Sequence, residues 1–389
     1  MKANKPKSAY LIRLLSVVSL LAVVFCCVGF CQKYLCLPND FDENRVIEFH
    51  KEPADSIDVL FIGSSSVYTA FSSAYAYGKF GFTSYPYALS GASCIMWKPA
   101  LQDALKTQKP KLVVVDVFGG GYDADLLRTR NAPLYRISNN TPLSPAKVRN
   151  AVDINGMTEQ TSTVSLIFPF FKYHRRLLYD IRKIPENIIK KQAVLSSGPS
   201  PLKGIETRTK AKKLGDLDEA SFTSDSEDLD PDTEAVIRDF IDYCKSEDIE
   251  VLFVKFPSIL TGTRKEKERV NLRANRVLEM GRDSGYAALN LQPLFYEMGL
   301  VKDEDFYNHD HANIRGQKKI TEYLGRYIQD DLGIGPSHLD PDVKAEWDQS
   351  VKYYDALAAM AEECIENGED RELGDSPGLA DELRDRIGR

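Results

Sequence analysis

"IDVLFIGSSSVYTAFSS" (Ile57–Ser73) runs from a strand-like apolar segment straight into a glycine and three serines. Val59 to Ile62 has the composition of a strand buried on both faces of a parallel sheet. Gly63 permits a tight turn that a side chain would obstruct, and Ser64, Ser65 and Ser66 follow it. In open parallel sheets, ligands and reacting groups gather at that carboxyl edge. Alone, such a segment reads as a plain turn or a helix cap, or as a serine that presents its hydroxyl and N–H together for nucleophilic chemistry.

Working outward, the same pattern recurs. "SIDVLFIG" (Ser56–Gly63), "SYPYAL" (Ser84–Leu89), "KLVVVDVF" (Lys111–Phe118), "IEVLFVKF" (Ile249–Phe256) and "AALNL" (Ala287–Leu291) are short apolar runs. Between them lie helical faces, such as Val236, Ile237, Phe240, Ile241 and Cys244, and Ile320, Tyr323, Leu324, Tyr327 and Ile328. The alternation predicts an α/β core from residues 55–138 and 233–333. Residues 139–232 read as an insertion, helical at first, then a Ser-, Pro- and acid-rich linker. Residues 334–389 read as one amphipathic helix and a mobile acidic tail.

The N-terminus carries a second signal. Leu14 to Cys31 is uncharged and, as a helix, is roughly 27 Å long, enough to span a bilayer. Lys2, Lys5, Lys7 and Arg13 precede it, so residues 1–33 are expected as an anchor with its N-terminus cytoplasmic and the body outside. A cleaved signal peptide is the rival reading, but the apolar region is long and no small-x-small site follows. Residues 34–54 read as a polar stem. The net charge of −7 argues against a nucleic-acid partner. Seven cysteines form no disulfide framework: Cys26 and Cys27 lie within the apolar run, Cys31 at its end could pair with Cys36 at the membrane surface, and Cys94, Cys244 and Cys364 are scattered singly, with buried or lipid-facing thiols the plainer reading.

A serine nucleophile needs a base, and the chain has five histidines. His50 falls in the stem and His338 beyond the core. His311, in "FYNHDHANIRGQKKITEYL", falls between the last strand and the last core helix, at the same sheet edge as Ser65. His174 and Arg175, beside Lys172 and Arg176, read as a solvated basic helix face or a contact for an anionic glycan. No His/Cys/Asp cluster has metal-ligand spacing, and neither a Walker A nor a G-x-G-x-x-G motif is present. Neither a metal nor another cofactor is expected.

Taken in order, "GSSSV", "LSGAS" and "DHANIRGQKK" resemble the first, second and last motif blocks of the SGNH/GDSL hydrolase superfamily. The likeness is nearest to its membrane-anchored, extracytoplasmic branch related to alginate and teichoic-acid O-acylation proteins. It spans about Ile57 to Gly333. It implies a three-layer α/β/α sandwich with a parallel, flavodoxin-like five-stranded sheet ordered 2-1-3-4-5. It further implies Ser65 as nucleophile and His311 as base, within a His-x-Asn-x-x-Gly pattern completed by Asn313, a candidate substrate contact, and Gly316. The N–H groups of Ser65 and Gly91 would form the oxyanion hole.

Two positions depart from that pattern. The block-three asparagine is replaced by "DVFGGGYD" (Asp116–Asp123), where Gly119 to Gly121 read as a sharp turn or as backbone donors, Gly119 first. The acid expected three residues before the histidine is Asn308, with Asp310 and Asp305 as candidate substitutes. The resemblance implies a cell-surface serine esterase or O-acetyltransferase acting on an envelope polysaccharide or a smaller acylated substrate, beside a membrane acyl-exporting protein. The alternative is a catalytically weakened or inactive glycan-binding or assembly protein of the same fold.

Overall fold

The computed structural model describes residues 7–34, 41–129, 132–141, 143–155, 157–158, 161–172, 182, 184–210, 213–215, 217–260, 265–374 and 377–388. Strands β1 (Val59–Gly63), β2 (Ser84–Ala88), β3 (Leu112–Asp116), β5 (Val251–Lys255) and β6 (Ala287–Asn290) form one parallel sheet in the order β2-β1-β3-β5-β6. Two short strands, β4 (Glu206–Arg208) and β7 (Glu372–Gly374), pair antiparallel beside it. With the insertion strand β4 set aside, the sheet has the expected five-strand order.

Side-chain alternation explains the layers. Leu60 and Ile62 of β1, with Val113, Val115, Val251 and Phe253, face helices Trp97–Ala104, Pro231–Ser246 and Lys265–Asp283 through Trp97, Phe240 and Val277. Val59 and Phe61, with Val114, Leu252 and Val254, face helices Ser65–Ala70 and Ile314–Asp330 through Val67, Ile320, Leu324 and Ile328. Both faces of β1, β2, β3 and β5 are covered, which is why these strands read as continuous apolar runs. Each such aliphatic side chain contributes roughly 1.5–3 kcal/mol by leaving water. Register Val59↔Ser84 and Val59↔Leu112 sets β1 between β2 and β3, with Gly63 at its carboxyl end.

Two expected boundaries change. The polar stem contains helix Phe41–Phe49, and Val46 and Phe49 join the core while Arg45 is fully buried. Arg45 is charge-satisfied there by Asp42 and Glu206, so its burial does not strand a cation. The expected amphipathic helix runs Pro341–Asn367, and the stretch expected as a mobile acidic tail carries its last turns, strand β7 and helix Pro377–Ile387. Tyr354, Leu357, Met360, Leu373 and Leu383 pack these against Leu202, Ile205 and Ile314 in a third apolar cluster. Helix Lys7–Tyr34 contains one stretch, Tyr10–Cys31, long and apolar enough to cross a membrane.

Candidate active site

The turn after β1 is built around Asp116. Its carboxylate, at the end of β3 and fully buried, accepts from Ser64 N–H at 3.1 Å, Ser64 Oγ at 2.6 Å and Phe118 N–H at 3.0 Å. Burial pushes the Asp116 carboxyl up, while those hydrogen bonds favour its charged form. A Cβ on residue 63 would stand 2.4 Å from Asp116 Cβ, so only glycine lets the two strands' ends approach this closely. Ser64 Oγ in turn accepts from Ser66 N–H and caps helix Ser65–Ala70. Ser65 is thereby the first helical residue, half-buried, with its hydroxyl at the sheet edge.

His311 reaches that hydroxyl across 246 positions of sequence: its Nε2 is 2.7 Å from Ser65 Oγ. A tight reversal places it, with Phe306 bridging Ala312, Asn313 N–H donating to Asp305 O, and Ile259 N–H donating to His309 O. The imidazole stacks on Tyr307, with ring centres 5.5 Å apart. Burial drives its pKa down to about 4; Lys267 and Arg208 push the same way, and Asp310 opposes them. The base is therefore neutral at pH 7.

Asn308 occupies the position of the orienting acid, with Nδ2 3.0 Å from His311 Nδ1. Its Oδ1 accepts from Asp310 N–H at 2.8 Å. A backbone N–H can only donate, so the amide oxygen must face Asp310 and the NH₂ must face the imidazole. Nδ1 then carries the lone pair and Nε2 carries the proton. In that tautomer His311 donates to Ser65 Oγ, whereas proton abstraction needs the reverse. Flipping the amide sets two donors against each other at Asp310, at a cost of about 1–3 kcal/mol.

The two aspartates expected as substitutes are engaged elsewhere. Asp310 Oδ2 is 3.0 Å from Lys267 Nζ, whose cation also sits over the Phe118 ring. Asp305, fully buried, accepts from Val301 N–H at 2.7 Å and pairs with Lys319 at 2.6 Å. Asn313 is corrected from substrate contact to helix cap. It is fully buried, its oxygen accepts from Arg315 and Gly316 N–H, and its nitrogen donates to Glu304 O.

Gly91 adopts a left-handed conformation, φ +66°, in the loop after β2. The N–H groups of Ser65 and Gly91 meet no acceptor among the described residues, which leaves both available to an oxyanion. Gly119 is buried against the same loop: a Cβ there would lie 2.3 Å from Ala92 O, so close packing accounts for this glycine. His174 and Arg175 lie outside the described residues. No protein-family model, curated protein or solved structure matches the chain.

Other residues around the site were not singled out by sequence. Arg45 lies 3.6 Å over the Tyr68 ring, one helical turn from Ser65, and donates to Ala88 O and Gly204 O. Asp42 accepts from Ser90 N–H, next to Gly91. Arg208 approaches Tyr307, the ring that supports His311, from strand β4. The surroundings of Ser65 are thus aromatic and charged. Arg45 lies in the charge-rich segment FDENRVIEF and Arg208 in ETR, so neither stands out from its neighbours in the sequence.

Proposed function

We propose that the chain is a serine acyl-ester enzyme of the SGNH/GDSL type, an esterase or O-acetyltransferase working on an envelope polysaccharide. The 2.7 Å approach of His311 Nε2 to Ser65 Oγ carries this reading. In the reaction, reversal of the Asn308 amide first moves the imidazole proton to Nδ1, and Ser65 Oγ then attacks the acyl carbonyl carbon while its proton passes to the lone pair freed on His311 Nε2. The carbonyl oxygen, now anionic, accepts from the N–H groups of Ser65 and Gly91. Collapse expels the alcohol, which takes the proton from His311 and leaves an acyl-serine. Water or a sugar hydroxyl then attacks that ester, and the steps run in reverse.

Tyr307, part-exposed beside His311 with Arg208 over its ring, supports a hydroxyl-rich substrate with a small acyl group over a long-chain lipid, while Tyr68 and Arg45 are buried behind Ser65. The N-terminal helix supports tethering at the membrane. In this reading the N-terminal lysines stay cytoplasmic, the body faces outward, and an acyl-exporting membrane protein supplies the acyl group.

A second reading, a weakened or non-catalytic glycan-binding protein, is favoured by one observation: the Asn308 amide donates to His311 instead of accepting from it. Intact-mass analysis after fluorophosphonate treatment separates the two. One adduct, absent from Ser65→Ala, supports the enzyme. Folded protein with no adduct supports the binding protein.

A further inference from the structure

Outside the N-terminal helix, exposed large apolar side chains concentrate in one stretch of the insertion. Leu143, Val148, Val152, Val164, Phe171 and Ile189 are all exposed, Ile189 by 69%; elsewhere the described body exposes only Tyr296, Val301 and Ile387. Helix Pro145–Asn155 shows why this is not simply core surface. Ala151 and Ile154 already form its buried stripe, while Val148 and Val152, four residues apart, form a second stripe facing outward. Scattered surface apolar residues are ordinary, but a concentration of this kind marks an interaction surface.

This stretch adjoins the N-terminal helix. Phe168 packs edge-on against Phe25 with ring centres 6.1 Å apart, and helix Ile184–Ser196 also touches helix Lys7–Tyr34. Phe25 lies six residues before Cys31, the end of the apolar span. At 1.5 Å per residue that is roughly 9 Å inside the span, within the 5–10 Å depth of helices that lie in a bilayer interface. Charge agrees: residues 143–196 hold nine Lys/Arg against four Asp/Glu, in a chain of net charge −7. Among the described residues of this stretch Arg149, Arg182 and Lys190 are exposed, whereas Lys147 is buried on Ser138 O and Thr141 O; exposed cations beside an apolar surface suit anionic lipid headgroups.

We propose that the insertion helices between residues 143 and 196 dock on the bilayer that holds the N-terminal helix, in the leaflet where that helix emerges. The proposal rests on the reading of Tyr10–Cys31 as a membrane span. Val148, Val152, Val164 and Ile189 enter the acyl boundary, and the exposed Arg149, Arg182 and Lys190 meet the headgroups. The body is then held at two points and cannot swing freely on its anchor.

Single tryptophans test this in the full chain reconstituted in phosphatidylcholine/phosphatidylglycerol vesicles with or without brominated acyl chains. The native Trp97 and Trp347, fully buried in the body, give a constant background. Val152→Trp and Ile189→Trp should lose emission to brominated lipid as Val18→Trp does, while Tyr296→Trp should not. Quenching of Val18→Trp alone overturns the docking and leaves the span standing. Protection of the two insertion tryptophans by a co-purifying membrane protein assigns the surface to that protein and also overturns it. An unquenched Val18→Trp removes the span and the docking together.

Discussion

Asn308 Nδ2 stands 3.0 Å from His311 Nδ1, and Asp310 N–H fixes which end of the amide points there. The resting site therefore has its proton on the wrong side of the imidazole for nucleophilic attack. A cost of about 1–3 kcal/mol to reverse it corresponds to roughly a 5- to 150-fold depletion of the competent form. Loss of imidazolium stabilisation adds to that; an amide in the corresponding serine-protease position lowers kcat about 10⁴-fold. Asn308→Asp should consequently raise the rate of fluorophosphonate labelling at Ser65 by between about 10-fold and 10⁴-fold. An unchanged rate, with Asp310→Asn abolishing labelling, would place the working acid at Asp310.

The depressed pKa of His311 has a pH signature. As pH falls from about 6.5 towards about 4, the unfolded chain binds the proton before the folded one does. Stability contributed by the neutral imidazole is full above the unfolded value and is lost through that window, by at most about 3 kcal/mol. Denaturant unfolding at pH 7 and pH 4.5 should show a larger acid loss for the wild type than for His311→Gln. Equal losses would mean that burial does not hold the imidazole neutral. In Asn308→Asp, the new carboxylate favours the imidazolium, so the acid limb of the labelling profile should move to higher pH.

The core of this arrangement was legible because it is local or topological. Apolar runs gave the strands, the turn after Ile62 gave Ser65, and the position of His311 before the last core helix brought it to the same sheet edge. The wall around the serine was not legible. Arg45 finds Tyr68, Ala88 and Gly204 only in three dimensions, and Asp310 finds Lys267 across 43 positions of sequence. Such long-range polar contacts leave no period in the chain. The acidic C-terminal stretch misled for a related reason: Leu373 is a single apolar residue among charges, yet β7 docks through it.

Gly63 is predicted to tolerate no side chain. Its neighbour Asp116 is held by Ser64 and by Phe118 N–H, so it cannot retreat from a Cβ placed 2.4 Å away without breaking those bonds. Gly63→Ala should cost roughly 1–3 kcal/mol of stability as overpacking and shift Ser65 out of line with His311. Labelling should fall far more than the unfolding midpoint does. Retention of wild-type labelling would show that the turn adapts and that Asp116 does not position the nucleophile.

The insertion is fastened to the body by a buried ion pair, and this carries the last prediction. Lys203 Nζ donates to both oxygens of Glu52 at 2.8 Å, with both side chains almost wholly buried and the cation 4.8 Å over the Trp347 ring. Removing one partner strands the other charge in a low-dielectric interior, so Lys203→Ala should destabilise the protein by about 3–5 kcal/mol. Replacing both, with Lys203→Met and Glu52→Leu, should recover much of that loss, because no charge then needs a partner. Gly204 and Glu206, which follow Lys203, hold Arg45 against Tyr68. The single variant should therefore also slow labelling at Ser65, and the double variant should restore it along with stability. If Lys203→Ala unfolds at the wild-type denaturant concentration, the pair does not fasten the insertion, and the order of the site's charged wall must come from the Arg45 contacts alone.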